Sequence, residues 1–191
     1  MKTIEVIGFK RANLTKAQIQ ALRMEGNVPC VLYGTGVNEM FHTPAYLLKD
    51  LVYTPEAKFV HLNIEGKEYK AIKQELQFHP VNDMLIHVDF LVLQEDKEVC
   101  MDIPVKLNGT PAGVLKGGKL IQRLTHLKIK ALPKNMPEVI SLDITELEVG
   151  KSARIGDIKT ENFVILKSTA IPIANVEVTR AMKEVAGDAK K

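Results

Sequence analysis

The feature that most constrains the fold is a period-two alternation of apolar and polar residues that recurs in short runs along most of the chain. It is clearest around Lys73–Phe90. Met84, Ile86, Val88 and Phe90 alternate with Leu85, His87 and Asp89, and because a strand turns successive side chains to opposite faces, the first set is expected to point inward and the second outward. Pro80 followed by Val81-Asn82-Asp83 reads as a turn. Ahead of it, Lys73, Glu75, Gln77 and His79 are expected on one face, with Ile72, Leu76 and Phe78 on the other. Paired as a hairpin, the two strands bring Gln77, His79, His87 and Asp89 into one polar platform. Three readings of that platform stand. It is a solvated strand face, a metal site built from two imidazoles and a carboxylate but without H-x-x-x-H spacing, or a surface that hydrogen-bonds to nucleic-acid edges and sugar hydroxyls. A carboxylate on a nucleic-acid surface repels phosphate, so on the third reading it accepts from a base amino group or a 2′-hydroxyl.

Other runs follow the same logic. Ile4–Phe9 alternates weakly, with Gly8 expected to loosen the strand or mark a bulge. Thr15 and Gln18 form a capping box, Leu14 and Ile19 occupy staple positions, and Gly26 takes the left-handed cap. A helix is therefore expected between them, with Ile19, Ala21 and Leu22 as its buried stripe and Lys16, Gln20 and Arg23 along one exposed side. Val28–Gly34 reads as a buried strand. Gly34-Thr35-Gly36 is a loop and lacks the Lys-Ser/Thr ending of a phosphate-binding motif. Tyr33 is either a core aromatic with its hydroxyl at the rim or a stacking surface for a base. Met40–Thr43 is a short strand. Pro44–Leu51 reads as a short helix facing the core with Leu47, Leu48 and Leu51. Phe59–Ile64 and Tyr69–Phe78 form a hairpin turned at Glu65-Gly66-Lys67, with His61 at an edge or partly exposed.

Gln94–Glu98 is polar and breaks the pattern, so a domain boundary is expected there, giving domains at 1–95 and 96–180 and a flexible tail at 181–191. Beyond it, alternation over Val99–Leu107 gives a strand with one dry face, and Pro104 points to an edge or a bulge. Four glycines in Asn108–Lys119 suggest a long flexible loop, and Thr145–Gly150 carries about one helical turn of pattern. Short strands at 127–131, 140–144, 155–158, 163–166 and 173–178 argue for an all-β second module, sandwich or barrel-like.

Composition narrows the function. The 191 residues suffice for one or two domains with proper cores. Aromatics make up 5% and Trp is absent, which argues against an aromatic sugar-binding cleft. Cys30 and Cys100 sit in apolar runs and read as buried thiols of a reducing, cytoplasmic protein. Charges interrupt Met1–Lys10, so no signal peptide is expected, and no apolar run is long enough for a membrane span. There is no nucleophile–base motif, paired catalytic carboxylates or cofactor loop; no enzyme activity and no cofactor is expected. Net charge is +3. Residues 1–95 carry ten basic and eleven acidic side chains, whereas Met1–Arg23 holds five basic and one acidic. Nucleic-acid contact by the first domain must then rest on that local cluster and on shaped hydrogen bonding.

Arg23–Gly34 (R-x-x-G-x-V-P-x-V-L-Y-G), Gln77–Pro80 (Q-x-H-P) and His87–Phe90 (H-V-D-F) together resemble the bacterial large-subunit ribosomal protein family that binds 5S ribosomal RNA. Pro104–Gly109, Gly113–Gly118 and Leu147–Gly150 resemble its long two-domain form, the general stress protein Ctc group. The resemblance implies a mainly β protein: an N-terminal β-barrel with short helices, then an all-β C-terminal domain. It implies a cytoplasmic component of the large ribosomal subunit, with 5S rRNA as partner and neighbouring ribosomal proteins reached through the C-terminal domain. The RNA-facing positions it implies are Arg11, Lys16 and Arg23 for phosphates, Tyr33, Gln74 and Gln77 for bases, phosphates or 2′-hydroxyls, and His79, His87 and Asp89 on the platform, the last two reading sugar and base edges. The chain departs from the family at residues 15–21, which hold one Lys where a Gly-Lys-rich segment is usual, and at Phe78, where a basic residue is common. Fewer phosphate contacts imply a flatter salt dependence. These departures motivate a second reading, a stress-related interaction protein with a protein-docking β domain and weakened RNA binding.

Overall fold

Phe59–Ile64 shows how the alternation becomes architecture: every second residue is buried, and Val60, Leu62 and Ile64 fill a closed interior. The computed structural model describes residues 1–12, 15–160 and 162–179. The expected tail at 181–191 and the Leu14 half of the helix staple lie outside the described residues.

Six strands close the barrel: β1 (Thr3–Lys10), β2 (Asn27–Gly34), β3 (Val37–Pro44), β4 (Phe59–Ile64), β5 (Lys67–Phe78) and β6 (Leu85–Val92), in the order β1-β3-β2-β6-β5-β4. The barrel is closed by parallel pairing of β1 with β4, and β6 enters between β2 and β5, parallel to β2. Tight turns set the hairpins. Glu65 and Gly66 both adopt positive φ between β4 and β5, as a two-residue turn that matches strand twist requires. The interior is apolar, with Val28, Cys30, Leu32, Phe41, Val88 and Phe90 at its centre, and the rings of Phe41 and Phe90 meet at 5.8 Å. Gly8 neither bulges nor loosens β1. It pairs regularly with Ile64, and a Cβ there would lie 2.5 Å from the Phe41 ring, so the missing side chain makes room for that ring.

Helix α1 (Lys16–Met24) carries the expected capping box, with Thr15 N–H donating to the Gln18 side chain at 2.9 Å. None of its residues is buried and Ala21 is exposed. The expected stripe is shallow because the helix lies on the barrel wall rather than in a second layer. After β3 the chain makes a 3₁₀ turn, Ala45–Leu48, continued by α2 (Lys49–Val52), whose Leu48 and Leu51 plug the interior.

The β5–β6 hairpin departs from simple alternation. Lys73 pairs with Phe90 and Leu76 with Val88, so Gln74 and Glu75 together stand opposite Asp89. This bulge reverses the parity of β5. Lys73 therefore shares its face with the inward-pointing Phe90 and donates from Nζ to the Leu51 carbonyl at 2.8 Å, instead of joining Gln77. A second irregularity skips Ile86 between the pairs Gln77–His87 and Phe78–Leu85. Past it the hairpin projects beyond the barrel rim, and Phe78 and Met84, expected inside, are exposed.

Two units divide the described chain. The first holds Met1–Met101 and Leu132–Glu138, and the second holds Asp102–Ala131 and the residues from Val139 onward. The second has two open sheets. One runs β10 (Ile140–Asp143), β7 (Val99–Asn108), β9 (His126–Ala131) and β12 (Val164–Ile165); the other runs β11 (Ser152–Arg154), β13 (Pro172–Glu177) and β8 (Lys119–Gln122). Pro104 lies in β7, an interior strand rather than an edge, one residue before pairing with β10 begins at Val105. The glycine-rich segment is not a free loop. It forms α3 (Ala112–Leu115), and Ala112 and Gly113 N–H donate to the carbonyls of Thr145 and Leu147. Gly113 is required by proximity, because a Cβ there would lie 2.7 Å from the Val149 backbone nitrogen. Ile155–Asp157 is a 3₁₀ turn rather than a strand, and residues 145–150 form turns rather than a helix. Cys30 is buried, but Cys100, on the outward side of β7, is half-buried rather than buried.

Candidate nucleic-acid interface

The outer wall of the barrel along β2, β6 and β5 gathers the sequence-derived residues. His87 and Asp89, two positions apart on β6, share its outer face, and His87 Nδ1 lies 2.7 Å from Asp89 Oδ1. They are 21% and 27% exposed, neither core nor fully solvated. The carboxylate holds the proton on Nδ1 and leaves Nε2 as an acceptor in the neutral ring. Gln77 is the direct cross-strand partner of His87, and Gln74 sits in the bulge opposite Asp89.

Tyr33 lies on β2 beside Leu91, one alternation beyond the Val31–Asp89 pair. Burial first, then the negative charges of Asp89 and Glu75, push its phenol above the ordinary value. Its hydroxyl therefore stays protonated and can donate. Arg23 reaches the same strand from α1, with Nε donating to the Ile86 carbonyl at 3.3 Å. Arg11 lies two strands away, its Nε on the Phe41 carbonyl at 3.2 Å; Phe41 pairs with Cys30, and Cys30 with Val88.

Two of the expected residues are placed apart. Lys16 is exposed at the start of α1. His79 belongs to the hairpin turn: its backbone N–H donates to the Met84 carbonyl at 2.8 Å, and its Nδ1 accepts from Val81 N–H at 3.3 Å. The basic cluster of the first 23 residues is also smaller than its count. Lys2 pairs with Glu56 and Lys10 with Glu39, while Arg11, Lys16 and Arg23 enter no ion pair among the described residues. Among the described residues no three His, Cys, Asp or Glu side chains come together as metal ligands do, and no helix is long and apolar enough to cross a membrane.

Sequence reasoning missed the exposed aromatics Tyr46 and Tyr53 beside Arg23. Their signal was present. They are seven residues apart in a segment whose leucines face the core, a spacing that puts both on the outward side of a helical stretch.

Residues 7–90 match the Ribosomal L25p family, and residues 98–180 match the C-terminal domain of ribosomal protein TL5. The chain is 52% identical to the large ribosomal subunit protein bL25 of Cytophaga hutchinsonii over 192 residues, covering all of both chains. It is 49% identical to bL25 of Amoebophilus asiaticus, over all of this chain and 97% of that one. It belongs to the bL25 family.

The family is ribosomal and non-enzymatic, in keeping with the absence of catalytic motifs in the sequence. The order of bL25 barrel and TL5-type domain is the long, two-domain form inferred from the motifs at Arg23–Gly34 and Pro104–Gly109.

Proposed function

We propose that this bL25-family chain is a structural constituent of the large ribosomal subunit in the cytoplasm, and that it binds 5S rRNA through the outer wall of β2, β6 and β5. The observation that carries this reading is the 2.7 Å His87–Asp89 pair, held opposite Gln77 with Arg23 at its margin. The pair presents acceptors, namely the free carboxylate oxygen and the neutral imidazole Nε2. Such a surface repels phosphate and suits donors. The wide, shallow minor groove of an RNA helix offers those donors as 2′-hydroxyls and guanine amino groups. Arg11, Lys16 and Arg23 flank the acceptors and take phosphates. Tyr33, Gln74 and Gln77 complete the set with groups that donate as well as accept.

The second unit is assigned to neighbouring ribosomal proteins. Leu115 and Val164, among its most exposed apolar side chains, are the features that support this.

The test is a gel-shift titration of the full-length protein against 5S rRNA and an unrelated structured RNA of similar length at the same salt. Selective retardation of 5S rRNA is expected. Equal affinity for both RNAs overturns the reading.

A further inference from the structure

Beside the His87–Asp89 wall the first unit carries a groove of about 290 Å³. One side is formed by Arg23, Met84 and Leu85, the other by Tyr46, Lys49 and Tyr53. Tyr46 is 73% exposed and Tyr53 62%, whereas Phe41 and Phe90 are fully buried. The barrel therefore does not use the faces of the two tyrosines. Tyr53 also lies 6.5 Å from the ring of Phe78, which extends the aromatic surface toward the β5–β6 turn. The groove walls carry two cations and no carboxylate. An occupant that satisfies both features has a flat apolar body and an adjoining negative charge. An apolar peptide leaves the cations unused, and an acidic peptide leaves the aromatic faces bare. Arg23 joins the groove to the wall, because the side chain that lines the groove also donates to the Ile86 carbonyl next to His87.

We propose that the groove receives one unstacked nucleotide of the RNA lying on the adjacent wall, with its base against Tyr46 and Tyr53 and its phosphate between Arg23 and Lys49. This rests on the RNA-binding reading above. Stacking on aromatic faces tolerates any base, so the groove adds affinity and register rather than sequence choice. It also places an aromatic and a lysine where the depleted segment at residues 15–21 supplies few charges.

The test uses full-length protein and 5S rRNA in filter-binding titrations over a salt series. Tyr46→Ala and Tyr53→Ala are each expected to weaken binding about tenfold, within the range of a lost base stack, while Tyr46→Phe and Tyr53→Phe stay near wild type. Thermal midpoints should not move, because both side chains are exposed. Lys49→Ala is expected to lower the salt slope by about one phosphate's share. Ultraviolet cross-linking is expected to join Tyr46 or Tyr53 to a nucleotide. Wild-type affinity in both alanine variants, with His87→Ala still impaired, overturns the groove and leaves the wall intact. Normal 5S binding by the alanine variants combined with lost association with large-subunit particles also overturns it, and assigns the groove to a protein. If the wild type shows no preference for 5S rRNA, groove and wall fall together.

Discussion

Arg23 Nε donates to the carbonyl of Ile86 at 3.3 Å, joining residues 63 positions apart. This contact ties the end of an otherwise shallow helix to the strand that carries His87 and Asp89. It also orients a guanidinium at the margin of the proposed interface.

Arg23→Ala removes both a partly buried hydrogen bond and a charge. It is expected to cost about 1 kcal/mol of stability and to lower the salt slope of 5S rRNA binding by about one phosphate's share. Arg23→Lys keeps the charge but not the planar donor, so the slope should hold while the stability loss persists. Urea unfolding and salt titrations of the two variants separate these effects.

His87→Ala and Asp89→Ser are each expected to cost about 1–3 kcal/mol of 5S rRNA binding. Because the two side chains touch, their effects should not add. The double variant is expected to lose less than the sum, which a double-mutant cycle measures directly. Strict additivity would mean that the carboxylate does not orient the ring.

His42 gives the barrel a pH dependence. It is half-buried overall, but its Nδ1 is buried without a partner, and its ring packs on Phe9 at 5.6 Å. Burial, then the charge of Arg11, holds its pKa below the ordinary histidine value. The unfolded chain takes up this proton near pH ~6.5, and the folded state does so only at lower pH. Its contribution to stability is therefore fully present above ~6.5 and is lost as pH falls from there through the lowered folded value. His42→Phe is expected to flatten that part of the decline in urea midpoint, and an unchanged profile would assign the decline to other groups.

Gly8→Ala is expected to destabilise the barrel by about 1–3 kcal/mol, since a methyl group there drives the buried Phe41 ring off its packing. Gly36→Ala tests the other role of glycine. Nothing lies near its Cβ position, and only its φ of +79° opposes a side chain, so about 1 kcal/mol is expected. Equilibrium unfolding of both variants gives the order.

The strands were legible wherever one face is dry, because Val60, Leu62 and Ile64 or Val88 and Phe90 leave no choice of face. The capping box at Thr15 and Gln18 was equally plain, since its chemistry is local. What alternation could not show was the extra residue at Gln74 and Glu75. A bulge is set by how two strands meet, not by either strand's pattern, and it sent Lys73 to the barrel end and left Gln77 outside. Exposure of Phe78 and Met84 was hidden for a related reason, since apolar identity does not report where a hairpin outruns its sheet. Of the site, the His87–Asp89–Gln77 core was visible as residue spacing. The contribution of Tyr46 and Tyr53 depended on α1 and the β5–β6 hairpin flanking them, which no local window contains.

The insertion of β6 between β2 and β5 has a consequence for biosynthesis. Synthesis proceeds from the amino terminus, so β1 to β5 leave the exit tunnel before the stave that unites them. Until Val92 has emerged, the nascent cylinder has a gap where His87 and Asp89 belong. Completion of the cylinder and creation of its acceptor wall are thus one event in time, and a half-made chain has nothing with which to capture its RNA.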